Sequence, residues 1–237
     1  GEVVYPAVIK NRHSIVFKNG SSISGSASFV FSLDELVSVY EKILNQTGEA
    51  PLVQEFIQGE EYGVEMICNK GEVIDTLFVH RRIRSLSPRG GAAVVKETAE
   101  ETPEVESMKA YAQALAKELE WDGPIMVEFK VDAKDGRVLL MEINGRFWGS
   151  LPLAVKAGID FPMIAYTHAR GELFNVRSRT SGHVRTRHFL GDVKWLWTVL
   201  FTHDPLRSVL YPSRLRAFYD FKKEIFISKG DVFSWND

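Results

Sequence analysis

The sequence predicts an α+β protein, and two observations carry that reading. Two long stretches repeat their apolar residues at helical spacing behind good N-caps. Several β-rich stretches come in pairs around turn residues, which predicts antiparallel hairpins. There is no internal repeat and no low-complexity tail.

In chain order, "VVYPAVIK" reads as a short strand with proline at a tolerated place. "KNGSSISGSAS", from Lys18 to Ser28, is rich in Gly and Ser and predicts a loop. Ser32 and Glu35 form a capping box, and Leu33, Leu36, Val37, Tyr40, Ile43 and Leu44 continue the helix to Gly48. "APLVQEFI" is the next strand. "EEYGVEMICN" and "EVIDTLFVHRRI" flank a Lys70-Gly71 turn. A polar loop around Pro88, Gly90 and Gly91 leads to a second helix, with Thr102 as cap, Pro103 at its first position, and Glu104 and Glu106 at its positive end. "GPIMVEFKVD" and "GRVLLMEINGR", joined by "AKDG", predict an antiparallel hairpin. "SLPLAVKAG" and "FPMIAYTHARG" predict short helices. Beyond about residue 175 the pattern weakens, leaving "HVRTRHFL" as a strand and "VKWLWTVLF" as a helix. The expected organisation is a small lid over 1–57, a larger sheet over 58–175, and an extension over 176–237.

Composition narrows the function. The 237 residues carry a formal charge of -2, so nothing draws the whole molecule to nucleic acid or anionic lipid. Trp195, Trp197 and Phe201 are therefore expected to pack in a core or domain interface and not on a membrane. The single cysteine, Cys68, rules out an internal disulfide and any multi-cysteine metal site; a buried, inert thiol is expected. No apolar run reaches the roughly 18 residues of a spanning helix, and no signal peptide opens the chain, so a cytoplasmic protein is the default. The chain opens without Met, as a piece of a longer protein would.

The most informative stretch is "LLMEINGR", Leu139 to Arg146. Alternation puts Glu142, Asn144 and Arg146 on one face of a strand and Met141, Ile143 and Gly145 on the other. A hairpin centred near Lys134-Asp135 brings Glu128 close to Glu142. Two carboxylates held together repel unless a cation or proton lies between them. With an amide oxygen they make a hard-oxygen set that suits Mg²⁺ on phosphates. An adjacent arginine would neutralise phosphate charge. Spacing alone is equally compatible with a solvated strand face.

"VEFKVDAKDGRVLLMEINGR" resembles the signature of the ATP-grasp superfamily, an acid followed about a dozen residues later by E-x-N-x-R. Gly145 stands where the family usually has Pro, which leaves the ligands untouched. The resemblance implies two α+β subdomains with ATP between two antiparallel sheets. It assigns metal binding to Glu128, Glu142 and Asn144, and a catalytic, charge-neutralising role to Arg146. Upstream, "YPAVIK" is similar to the strand whose lysine reaches ATP, here Lys10. "NGSSISGS" lies where the phosphate-covering loop is found, so Ser24 and Gly25 would approach phosphate. "VQEFIQGEEYGVEM" looks like the hinge, with Gln54, Glu55, Phe56 and Ile57 at the adenine edge and Glu61 on the ribose. The order matches over about residues 5 to 165.

The implied cofactors are ATP and Mg²⁺, with Mn²⁺ as an alternative. The implied reaction is ATP-dependent ligation, a carboxylate activated as an acyl-phosphate for attack by an amine, as in the carbamoyl-phosphate-synthase-like and amino-acid ligase members. Small-molecule carboxylate and amine partners are expected, with no nucleic acid and no membrane span; homo-oligomerisation stays open. Family members also carry an N-terminal α/β domain, so a truncated fragment that binds nucleotide and metal without catalysis is the alternative.

Substrate contacts are expected in "HRRIRSLSPRGG", above all from Arg81, Arg84 and Arg89, since an arginine cluster suits an anionic substrate or the γ-phosphate. A solvated loop is the plainer reading. Nucleic acid is disfavoured because the stretch is short and lacks aromatics. Lys96 is placed behind this cluster, and Phe147 and Trp148 are expected in the core. His183, Arg185, Arg187 and His188 are expected to pair internally.

Overall fold

The computed structural model describes residues 3–13, 15–18, 20–24, 27–172, 182–204 and 207–231. Two compact units divide the chain, Gly1–Gln58 and Gly59–Asp237.

The first unit runs β1 (Ala7–Lys10), β2 (Ile15–Lys18), β3 (Ser21–Ser24), β4 (Ser28–Val30), α1 (Leu33–Thr47) and β5 (Leu52–Glu55). Strands β4, β1 and β5 form an antiparallel sheet in that order. Helix α1 packs on it through Leu36, Val39, Tyr40 and Ile43, around Ala7, Ile9 and Val30. Its start is the expected cap with a shifted return bond: Ser32 Oγ accepts from the Glu35 N–H, and Glu35 Oε2 accepts from the N–H of Phe31, one residue before the cap. Gly48 ends it at φ 80°, a left-handed position that suits glycine. The Gly/Ser stretch differs from expectation. Instead of a loop alone it holds β3, which pairs with β2 just before it, with Val16 opposite Ile23. The serines masked this single apolar cross-strand pair.

The second unit runs β6 (Gly59–Asn69), β7 (Glu72–Ser87), β8 (Gly90–Thr98), α2 (Pro103–Glu118), β9 (Gly123–Asp132), β10 (Val138–Asn144), α3 (Leu151–Lys156), α4 (Phe161–Ala169), β11 (Arg185–Arg187), α5 (Phe189–Phe201), α6 (Arg207–Leu210), α7 (Arg214–Ile227) and β12 (Lys229–Gly230). Its seven-stranded sheet has the order β10-β9-β6-β7-β8-β11-β12 and is antiparallel except between β11 and β12. The arginine-rich "HRRIRSLSPRGG" belongs to β7, β8 and their tight connection, not to an open loop. Residues past 175, expected as an extension, add β11 and β12 to this same sheet.

Each face of the sheet has its own core. On one, α2 lays Val105, Met108, Ala112 and Ala116 over Val64, Met66, Val127 and Phe129. On the other, α3 and α4 bring Leu153, Phe161 and Ile164 against Ile67, Phe78, Met126 and Trp148. Cys68 is buried in the first of these cores, and burial pushes its thiol up to about 11. Helices α5 and α7 pack on each other through Trp195, Val199 and Ala217. The expected burial of the α5 aromatics holds for Trp195 alone; Trp197 and Phe201 are 66% and 59% exposed. The spacing explains this, since Trp195 and Val199 share a face that Trp197 and Phe201 do not. Among the described residues no helix is long and apolar enough to cross a membrane.

Candidate functional site

The second core, under α3 and α4, covers only part of its sheet face. The rest of that face is polar, because β6, β7, β9 and β10 turn Glu61, Arg82, Glu128, Lys130, Glu142 and Asn144 toward it. Strand alternation sets these positions, with Val64, Val127, Phe129 and Ile143 between them facing α2.

Glu128 stands directly opposite Glu142. A bulge produces this opposition. Val138, Leu139 and Leu140 pair regularly with Val131, Lys130 and Phe129, and the register then shifts by one between Leu140 and Glu142. Were Met141 paired in the ladder, it would stand opposite Glu128 and set Glu142 against Val127 on the α2 face. The bulge therefore turns the end of β10 over, so that Glu142 and Asn144 share the face of Glu128.

The two carboxylates are bridged by an amide. Asn144 Nδ2 donates to Glu128 Oε1 and to Glu142 Oε1, both at 3.2 Å. Arg146 follows, donating from Nη2 to Asn144 Oδ1 at 3.4 Å and from Nη1 to the Phe147 carbonyl at 3.1 Å. Arg82 comes from the other side, its Nη2 donating to Glu128 Oε2 at 3.3 Å and its Nη1 to Glu61 Oε2 at 2.8 Å. Lys130 Nζ lies 3.0 Å from Glu61 Oε1. Grouped by sequence with the substrate-side arginines, Arg82 is in fact the link between Glu61 and Glu128.

The two acids respond differently. Burial, reinforced by the facing charge of Glu142, raises the Glu128 carboxyl above its ordinary value despite Arg82. Burial also works against the Glu61 charge, but Arg82 and Lys130 more than offset it and hold that carboxyl low. Glu61 is thus a settled carboxylate, whereas Glu128 is short of positive charge. The two carboxylates are hard oxygen donors that fit a divalent cation, and the Asn144 amide would join them by turning Oδ1 toward them in place of Nδ2. Among the described residues no group of three or more His, Cys, Asp or Glu side chains is arranged to hold a metal ion by itself.

A buried cluster lies beside this face. His80 Nδ1 is 2.8 Å from Glu65 Oε1, and Ser150 Oγ donates to the same oxygen at 2.5 Å. Gly63 makes room for it, since a Cβ there would meet His80 Cε1 at 2.4 Å.

The other expected site residues fall as follows. Lys10 ends β1 and pairs with Leu52. Gln54 and Glu55 end β5, opposite Val8 and Ala7. Phe56 sits edge-on to Phe29 at 5.5 Å, and Ile57 is half-buried. Ser24 ends β3, while Gly25 lies outside the described residues. Arg81 is held by Glu60 at 2.8 Å and by Glu97 at 2.6 Å. Arg84 is buried against Asp192 and stacks 4.0 Å over Trp195. Arg89 grips Asp204 with two hydrogen bonds, 2.6 and 2.8 Å. Lys96, fully buried, contacts Asp231 at 2.5 Å. The pairing expected around Arg185 and Arg187 is present, to Glu224 and Asp192.

Arg81, Arg84 and Arg89 also share the wall of a cavity of about 590 Å³. Sequence reasoning missed its other side, which α6 and α7 supply through Leu210, Pro212, Arg216 and Lys223. Only the docking of those helices reveals it.

A family model described as "ATP-grasp in the biosynthetic pathway with Ter operon" matches residues 47–190, more than half of the chain. No curated protein matches. Among solved structures, the biotin carboxylase domain of 2-oxoglutarate carboxylase from Hydrogenobacter thermophilus, complexed with MgADP and bicarbonate, aligns at TM-score 0.58 and 18% identity over 78% of this chain and 41% of that one. An ADP complex of N5-carboxyaminoimidazole ribonucleotide synthetase gives 0.57 and 20% over 78% and 46%. An L-amino acid ligase from Bacillus licheniformis gives 0.55 and 19% over 80% and 46%. At these identities the likeness establishes the fold, and this chain spans less than half of each of those three chains.

Proposed function

The chain belongs to the ATP-grasp family of the biosynthetic pathway with Ter operon, and from that premise we propose that it is an ATP-dependent ligase joining a carboxylate to an amine. The observation that carries this reading is the opposition of Glu128 and Glu142, bridged by the Asn144 amide with Arg146 next to it. Neighbours of the same fold were solved with ADP or MgADP, which supports a nucleotide and Mg²⁺ here.

Glu128, Glu142 and Asn144 would hold the metal, which when bound supplies charge neutralisation for the ATP phosphates. In the reaction, a substrate carboxylate oxygen attacks the γ-phosphorus of ATP, and the bond to ADP breaks. The amine then attacks the acyl carbon, inorganic phosphate leaves, and the nitrogen gives up a proton. The chain supplies position and charge. Arg146 neutralises charge on the transferring phosphoryl group. Glu61, held ionised by Arg82 and Lys130, is an acceptor for the ribose hydroxyls. In the first unit, Lys10 and Ser24 take phosphate, and Gln54, Glu55, Phe56 and Ile57 take adenine.

The test is ADP and phosphate release with Mg-ATP and a panel of carboxylates and amines. The ligase reading expects release that needs both an acid and an amine and is lost in Arg146→Ala. Tight nucleotide binding without release under any pair would favour a fragment that binds nucleotide and metal without catalysis.

A further inference from the structure

The 590 Å³ cavity lies on the same sheet face as the carboxylates. Glu61, Arg82 and Lys130 of the sheet form one wall, the β7–β8 connection with Arg89 forms the rim, and α7 forms the opposite wall. Its volume is that of a small-molecule site. Its charge is lopsided: eight Lys or Arg side chains line it against four Asp or Glu. Some of those cations are consumed by the fold, as Arg84 is by Asp192 and Arg185 by Glu224. The α7 cations are not. Arg216 pairs only with Asp220, one turn along its own helix, and Lys223 makes no hydrogen bond or ion pair among the described residues. Trp195, Leu210 and Pro212 add an apolar patch.

Arg82 ties this cavity to the proposed metal site. Its guanidinium spans from Glu61, in the cavity wall, to Glu128. A molecule in the cavity therefore lies next to the carboxylate pair, where an acid awaiting phosphorylation must be. We propose that the cavity binds the carboxylate substrate, and that this substrate carries a second anionic group recognised by Arg216 and Lys223. The assignment rests on the ligase reading. It makes α7 the element that selects the substrate, with the sheet residues common to any acid and the α7 cations particular to a dianionic one.

The probe is 2-phosphoglycolate, a small acid with a second anionic group, compared with glycolate by calorimetry at millimolar concentration. Wild type is expected to favour 2-phosphoglycolate by about tenfold or more. The double variant Arg216→Glu, Lys223→Glu is expected to lose that preference while binding Mg-ATP as wild type does. Both positions are exposed, so the fold should survive; circular dichroism checks this. Saturating Mg-ADP should leave 2-phosphoglycolate bound. Equal affinity for the two acids, absence of binding by either, or a preference that survives in the double variant would overturn the proposal. Displacement by Mg-ADP would overturn it too, by assigning the cavity to the nucleotide. Loss of Mg-ATP binding in wild type, with the preference intact, would overturn the ligase reading and leave an anion site standing.

Discussion

Glu128 carries the electrostatic cost of the site. A like charge directly across an antiparallel pair destabilises by about 0.2–1 kcal/mol. Removing the charge in Glu128→Gln should therefore stabilise the ligand-free protein by up to about that amount near neutral pH, read as a higher urea midpoint, while abolishing Mg-ATP binding. The pH dependence follows from the same conflict. Folding raises the Glu128 carboxyl above its ordinary value of 4.5, so the folded state holds this proton more tightly than the unfolded chain. Its contribution to stability is best below 4.5 and declines as pH rises toward the folded value. Metal binding needs the carboxylate, so Mg-ATP affinity should fall as pH is lowered through that same window; calorimetry across pH checks it. Gly63 answers to geometry instead. Gly63→Ala would drive a methyl into His80 and should destabilise by about 1–3 kcal/mol, measurable by denaturant titration. At this scale the sequence was informative wherever a period of two sufficed, as for Glu142, Asn144 and Arg146. It put Arg82 in the arginine cluster and missed its link to Glu61 and Glu128, which depends on the non-local register of β7 against β6 and of β6 against β9.

At the scale of elements, one residue of the clamp strand stands outside the ladder. Met141 is the extra residue of β10, left out of the ladder; deleting it would make the pairing regular and keep Glu142 opposite Glu128. The deletion should therefore leave Mg-ATP binding in place while Glu142→Ala weakens it, which calorimetry on both variants compares. Helix α7 depends on a buried acid. Glu224 accepts from Arg185 at 2.6 and 3.0 Å and from Ser228 Oγ at 2.5 Å. Glu224→Ala leaves Arg185 held by Glu97 alone and should cost about 1–3 kcal/mol, with hydrogen-exchange protection lost first in α7. The capped helices α1 and α2 were legible because cap, period and burial agree. Helix α7 was not, because its apolar residues do not mark its buried face: Ala217 and Glu224 are buried, while Leu215 and Phe226 are 86% and 87% exposed. Strand β11 was expected within "HVRTRHFL", but its place in the sheet was not legible, since its partners β8 and β12 are distant in sequence.

For the molecule as a whole, the two units differ in how well each supports itself. Gly59–Asp237 contains both sheet-face cores and the α5–α7 core. Gly1–Gln58 has one small core under α1, and a unit of that size buries little surface. The central claim is that Glu128, Glu142 and Asn144 bind Mg-ATP. Its most direct test is calorimetric titration of the whole chain with ATP, with and without Mg²⁺, on wild type and on Glu142→Ala. The account predicts Mg-dependent binding in wild type that Glu142→Ala weakens by about tenfold or more. Binding that is indifferent to Mg²⁺, or equal in the two proteins, would contradict it.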